Sequence, residues 1–393
     1  MQAAASDEQT AVPCVIMRAG TSKGIFFHAQ DIPPPGTERD ALLKRVMGSD
    51  DLLQLDGLGG SRLVTSKIAI VGPPTRQDAD VDYTYAIVPP GRDIVVYTSN
   101  CGNISSGVGP FAIDAGLVRA SADVTVVRIH NTNTGKVLVA HVPVLNGRAR
   151  VYGAFAIPGV QGTGAEIFLD YRHTLGAKTG RALPTGNVTD KLLIEDGRAL
   201  EVTIGDVANP CVFVRAQDVG ITGNETPDQI NESRPLMELL KEVRGKAAQK
   251  IGLCTHWSLA EEASPALPLV VLVAPPADYT TTDGASVGGP EMDLRARLIF
   301  YNKCHESMAG TGSMCTAAMS RMPHTLVHQV VSDPSAKTLR IGHPLGVMSV
   351  VAEANVDASG AAVFERLGFS RTARRIMDGR VYVAKQVESR EPA

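Results

Sequence analysis

Apolar positions along this chain fall mostly in short runs rich in β-branched residues, each bounded by turn formers. That pattern predicts strands over Val12–Met17, Asp93–Thr98, Val124–His130, Lys136–Val144, Arg148–Gly153, Ala199–Ile204, Cys211–Ala216, Leu267–Ala274, Leu298–Tyr301, Leu326–Ser332 and Val347–Ala352. Helical spacing is rarer. Arg39–Met47 places Leu42, Leu43 and Val46 on one face, and Arg234–Lys246 does the same with Leu236, Leu239, Leu240 and Val243. Arg371–Met377 reads as a basic amphipathic turn or two, with Gly379 as its C-cap. Strands outnumber helices without βαβ alternation, so the class is α+β, built on antiparallel barrels or sandwiches rather than a doubly wound sheet.

Two segments break the pattern. Ser99–Leu117 (SNCGNISSGVGPFAIDAGL) and His305–Met322 (HESMAGTGSMCTAAMSRM) each open as a polar, glycine-punctuated loop and pass into small apolar residues. Each follows a strand candidate, and they lie about half a chain apart, as a duplicated domain would place them. A helix apolar on every face must be buried, and a sheet curled around it would bury it. Two such domains face to face would bring two helix N-termini to one cleft. Their unpaired N–H groups and partial positive charge suit a compact molecule with several carboxylates.

Composition narrows the function without choosing it. The 393 residues fit two domains, and a net charge of −3 makes nucleic acid or an anionic membrane a poor partner. No run is long enough to span a bilayer, and the polar start MQAAASDEQTAVP lacks the features of a signal peptide. Six scattered cysteines without a CxxC pair fit reduced thiols and a cytoplasmic location.

Cys101, in SNCGNISSG, is the thiol with polar company: Ser99, Asn100, Asn103, Ser105 and Ser106. Near a helix N-terminus a thiol can act as an acid or base at neutral pH. The bland alternative is a small buried hydrophobe, which is the reading for the cysteines in PCVI and PCVFV. Lys67 precedes the apolar run Ile68–Val71. It is either a buried lysine tuned toward general-base duty or an edge-strand lysine whose head reaches water. Lys23 faces the same choice with less in its favour. The glycines at the two helix starts would let a carboxylate approach backbone N–H groups over Cys101–Ser106 and Gly310–Ser313, with Arg18 adding charge. His305 and His343 are candidates for polar contacts in a cleft.

Other motifs fail on inspection. Arg18–Gly24 lacks the first glycine and spacer of a phosphate loop, and Gly107–Ala112 matches a dinucleotide fingerprint only by letter, outside any βαβ context. His324 and His328 have no glutamate in the HExxH position, so no metal is expected, and no Gly-x-Ser-x-Gly elbow occurs.

The segments MRAGTSKGIFF, DGLGG…TSK ending at Lys67, SNCGNISSGVGPFAI, HNTNTGK, LPTGN, RIGHPLG and RTARRIMDGRVYV resemble the PrpF family across residues 12–386. That family includes 2-methylaconitate, 3-methylitaconate and 4-oxalomesaconate isomerases, and DGLGG–TSK with HNTNTGK and DVANPCVFV looks most like the methylitaconate branch. The resemblance implies a diaminopimelate-epimerase-like fold: two related domains, each a β-barrel-like sheet around a central helix. It sets domains at 1–185 and 186–374, with 375–393 packing back on the first. In the epimerase two cysteines face each other across the substrate; the second position here is Ala309, which weakens a two-thiol racemase. What the resemblance implies instead is catalysis by Lys67 and Cys101, on opposite sides of the guest, without a cofactor. Thr21, Ser22, Ser66, Asn100, Gly102, Asn103, Ser105, Ser106, Thr311 and Gly312 join the residues above as substrate contacts. The expected reaction is a 1,3-proton shift moving a C=C bond in a small unsaturated di- or tricarboxylate, with a homodimer as the default oligomer. A keto–enol tautomerase and a non-catalytic carboxylate-binding accessory protein are the rivals.

Overall fold

The computed structural model describes residues 8–98, 100–121, 123–356 and 362–385. Ser99, first in the glycine-punctuated segment around Cys101, lies outside them. The first half runs through β1 (Gln9–Ala19), β2 (Ser22–His28), β3 (Lys67–Gly72), β4 (Val81–Ile87), β5 (Val124–Asn131), β6 (Lys136–Leu145) and the short strand Ile167–Asp170. Each pairs with the next, in the senses antiparallel, parallel, antiparallel, parallel, antiparallel, antiparallel. The second half repeats that order of senses through Ala199–Val207, Asn209–Arg215, Leu269–Ala274, Leu294–Phe300, Thr338–His343, Gly346–Val356 and Ala362–Arg371. The duplication is therefore written in the hydrogen bonding. Ala362–Arg371 also pairs with Ile167–Asp170, and Ala373–Ala384 runs antiparallel along β1, so the end of the chain crosses back to the first half.

The helices are α1 (Thr37–Met47), α2 (Gly102–Asp114), α3 (Pro227–Glu232), α4 (Arg234–Lys250), α5 (Ala260–Ala263), α6 (Gly310–Ser320) and α7 (Leu326–Val330). Within α2 every residue but Asp114 is buried, and every residue of α6 is. Strands of one half surround each. The fold is thus α+β, two similar halves with a sheet wrapped around a central helix. Strand alternation builds the layers. In β3, Ile68 and Ile70 face α1 and pack with Leu43, Val46 and Met47, while Ala69 and Val71 face α2 and pack with Ile104 and Val108. Lys67 shares the parity of Ala69 and Val71, so it points inward, and β3 lies between β2 and β4 rather than at an edge.

Four local expectations give way to tertiary context. Arg371–Met377 is not helical, because Ala373–Ala384 finds a partner along the whole of β1. Leu326–Ser332 contains the short α7 instead of a strand, since the Thr325 side chain caps it by accepting from the His328 N–H. Asp93–Thr98 keeps only a bridge between Val96 and Ile87, and Arg148–Gly153 only the two-residue strand Arg148–Ala149.

Candidate active site

The N-termini of α2 and α6 meet at the centre of the molecule. A Cβ added at Gly102 would lie 3.0 Å from the Gly310 carbonyl carbon and the Thr311 nitrogen, and one at Gly310 would lie 3.2 Å from the Gly102 Cα. Glycine at both positions permits this approach. Neither helix has a side-chain cap at its N-cap residue, Cys101 or Ala309. Ser105 and Ser313 N–H close the first helical bonds, which leaves the N–H groups of the preceding turn facing the junction without helical acceptors.

Lys67 enters this junction from the start of β3. It is 4% exposed, and its Nζ donates to Ser22 Oγ at 3.0 Å and Cys101 Sγ at 3.3 Å. Amine and thiol are therefore side by side, not on opposite sides of a guest as expected. The backbone around Cys101 is held by amides. Asn100 Oδ1 accepts from the Cys101 N–H at 2.7 Å and from Asn131 Nδ2 at 3.0 Å. Asn209, from the second half, donates through Nδ2 to Asn100 O at 2.9 Å and Thr311 Oγ1 at 3.0 Å, and its Oδ1 accepts from the Asn100 N–H at 3.2 Å. It ties both helix starts together.

His305 closes the second-half wall. Its Nδ1 accepts from the Ser307 N–H at 3.0 Å, which puts the ring proton on Nε2. Burial, and then the neighbouring Lys67 charge, pull its pKa down to about 3, so it is a neutral donor at neutral pH. Lys67, Cys101, Asn100, Gly102, Asn103, His305, Gly310 and Thr311 line one cavity together with Tyr85, Asn209, Leu269, Phe300 and Ala309. It holds about 20 Å³, room for one water molecule. As it stands, this space is too small for a small dicarboxylate. Thr21 and His343 line a second, larger cavity with Ser307, Met348 and Arg371. A contact between Thr21 Oγ1 and Ser307 Oγ at 3.4 Å, and the Asn103 side chain bonded to Thr21, connect the walls of the two spaces.

The remaining expected contacts lie elsewhere. Arg18 lines neither cavity; its guanidinium donates to the carbonyls of Gly20 and Thr372. Ser66 Oγ donates to Gln54 Oε1 at 2.6 Å. Ser105, Ser106 and Ser313 turn their hydroxyls back onto the carbonyls of Cys101, Asn103 and Gly310, and Gly312 packs on Leu298. Sequence reasoning passed over Asn209, Asn131, Ser307 and Arg371. Asn209 and Asn131 sit inside DVANPCVFV and HNTNTGK, where an asparagine beside a strand end was the available signal.

The PrpF protein family matches residues 9–384. The chain belongs to the PrpF family. The 3-methylitaconate isomerase of Eubacterium barkeri is 49% identical over 380 residues, 96% of this chain and 98% of that protein. The 2-methyl-aconitate isomerase of Cupriavidus necator is 37% identical over 388 residues, 95% and 98% of the two chains. Among solved structures, a methylitaconate-delta-isomerase shares 49% identity and a TM-score of 0.79, covering 96% of both chains. Membership in the PrpF family accounts for the duplicated barrel-and-helix architecture. Among the described residues, no helix is long and apolar enough to cross a membrane, and no group of three or more metal-binding side chains occurs.

Proposed function

We propose that this PrpF-family chain is an isomerase that moves a carbon–carbon double bond in a small unsaturated di- or tricarboxylate by a cofactor-independent 1,3-proton transfer, with Lys67 and Cys101 as the proton-handling pair. One observation carries the reading: the buried Lys67 amine and Cys101 thiol are hydrogen-bonded, 3.3 Å apart, at the mouth of two uncapped helices. Carbons one and three of an allylic unit lie roughly 2.5 Å apart by ordinary bond geometry. Two groups at this spacing can serve both carbons from one face. One takes a proton from the carbon next to or vinylogous to a carboxylate, and the double bond moves as charge flows onto the carboxylate oxygens. The other gives its proton to the far carbon. The hydrogen bond between them then passes the captured proton back, and the pair is restored without a net loss.

The dienolate formed midway is met by the N–H groups at the starts of α2 and α6 and by the neutral His305 Nε2–H. One such oriented donor contributes about 3–4 kcal/mol in a well-studied acyl-transfer enzyme. The identities of the relatives support an unsaturated polycarboxylate: the dicarboxylate 3-methylitaconate or the tricarboxylate 2-methylaconitate, with aconitate as the unmethylated form of the latter. Proton NMR in deuterated water with these acids and 4-oxalomesaconate tests the proposal. The expected result is a shifted double bond with deuterium at an allylic carbon, absent in Lys67→Met and Cys101→Ser. Tight binding without exchange would favour an accessory carboxylate-binding protein instead.

A further inference from the structure

Arg371 ends the strand that crosses from the second half to the first, and it is 4% exposed. A buried guanidinium ordinarily meets a carboxylate, because an unpaired buried charge is costly. Here no Asp or Glu among the described residues forms an ion pair with it. Its Nε donates to Asn103 Oδ1 and its Nη1 to the Ser370 carbonyl, both at 2.9 Å, and its Nη2 faces the Met348 sulfur at 2.9 Å, a weak acceptor. The guanidinium stacks 4.4 Å from the centroid of the Phe369 ring, which fixes its plane. This is a positioned cation with bonding capacity left over.

Its surroundings are those of an anion seat. The cavity it lines also presents the hydroxyls of Thr21 and Ser307 and the ring of His343. His343 Nδ1 accepts from the Leu345 N–H at 3.2 Å, so its proton lies on Nε2. Burial, then the charges of Arg371 and Arg297, lower its pKa to about 3 and keep it a neutral donor. Among the described residues, no carboxylate side chain lines the cavity. Asn103 joins this seat to the proton-handling pair. Its Oδ1 accepts from Arg371 and from the Thr21 N–H, its Nδ2 donates to Thr21 Oγ1, and it stands two residues from Cys101 on the first turn of α2. Gly20, at φ +54°, makes the arrangement possible, because a Cβ there would fall 2.1 Å from Asn103 Oδ1.

We propose that Arg371, with His343, Thr21 and Ser307, is the receptor for a second substrate carboxylate, and that it makes the protein selective for di- over monocarboxylates. The inference rests on the isomerase reading above and deepens it. A molecule held by both Arg371 and the helix starts spans both cavities, so the Thr21–Ser307 contact opens when it binds. Its carboxylate takes the place of the weak Met348 Sδ contact on Arg371 Nη2.

Calorimetric binding of itaconate and of each of its two monomethyl esters tests this. Wild type should prefer itaconate to the ester lacking the Arg371-bound carboxylate by roughly 100-fold, as a lost charge-assisted bidentate contact implies. Arg371→Gln should remove that preference while Arg371→Lys keeps roughly a tenth of the affinity, since an ammonium retains charge without the fork. Met348→Glu supplies an internal carboxylate to the guanidinium and relieves its burial, so it should fold. It should weaken itaconate at least about 10-fold while leaving that same ester unchanged. Wild-type itaconate affinity in Met348→Glu, a uniform loss for all three ligands in Arg371→Gln, or a wild type indifferent to esterification would each overturn the receptor. If itaconate and its esters exchange protons normally in the face of such a result, the isomerase reading stands and only the receptor falls. If wild type binds none of the three, the receptor falls, and the isomerase reading is decided separately by exchange with the acid panel.

Discussion

The two halves place different side chains at matching points of one architecture. In each, the second strand lies parallel to the third, and the pairings Gly24–Lys67 and Cys211–Leu269 put the first residue of the third strand in the same register. Lys67 thus corresponds to Leu269, and Ser22, which accepts from Lys67, corresponds to Asn209. At the N-cap of the central helix Cys101 corresponds to Ala309. The first half carries hydroxyl, amine and thiol; the second carries amide, isobutyl and methyl. Both sets line or border the same junction. The proposed proton chemistry accordingly belongs to one half, and the other half shapes and holds the site. Leu269 and Ala309 present apolar surface to the cavity that the amine–thiol pair lines, while Asn209 fixes both helix starts with its amide.

The sharpest way to break that contrast is to empty the first half. Lys67→Met and Cys101→Ser should each fold and each lower turnover by about 10²–10⁴-fold, the usual worth of a positioned acid or base. Steady-state rates with the best substrate of the acid panel check this. Rates near wild type in both would move the chemistry away from the first half altogether.

On the other side, Asn209→Ala should act on stability before chemistry. The side chain is 1% exposed and serves the Asn100 backbone and Thr311. Removing it strands buried polar groups, at a cost of about 1–3 kcal/mol. Urea denaturation should show that loss, with a smaller fall in turnover than in the Lys67 or Cys101 variants. An unchanged midpoint would mean that the two helix starts hold their positions without the tie.

Acid should act on the second half through its buried histidines. His305 and His343, both from the second half, are buried and neutral with pKa pulled from 6.5 to about 3. The unfolded chain binds their protons first, so stability declines as pH falls below 6.5, by about 1.4 kcal/mol per unit for each histidine and ending near pH 3. His305→Gln and His343→Gln should each flatten the pH dependence of the denaturation midpoint between pH 6 and 4.

What was legible in the sequence follows the same division. Cys101 and Lys67 announced themselves locally, one as a thiol among polar residues at a helix start, the other as a charge against an apolar run. The central helices were readable because a small, wholly apolar helix has only one place to go. Asn209 and Arg371 were not readable, because their meaning lies in partners 109 and 268 residues away. Arg371 was also hidden by its neighbours. The basic periodicity of RTARRIMDGR mimics a helix, and only the pairing of Arg371 with Ile167 and of Ala373–Ala384 with β1 shows strands. The side-by-side placement of amine and thiol was invisible for a related reason: β3 and α2 come together through the sheet, not through sequence spacing.

The smallest expected effect is the most direct probe of the comparison. Ala309→Cys gives the second helix the thiol that the first one has. Ala309 lines the cavity and is only half-buried, so the added sulfur has room. If the identity of the proton pair is set by Lys67 and Cys101 together, a second thiol has no task, because the far carbon is already served from the same face. Under reducing conditions turnover should stay within about threefold of wild type, about 0.6 kcal/mol in barrier, and deuterium should enter no saturated α-carbon. Exchange at such a carbon in Ala309→Cys, retained when Lys67→Met is added, would mean that the two helix starts can run two-thiol chemistry on their own. The difference between the halves would then reduce to one methyl group in place of one thiol, and the amine would be a later specialisation of a shared site.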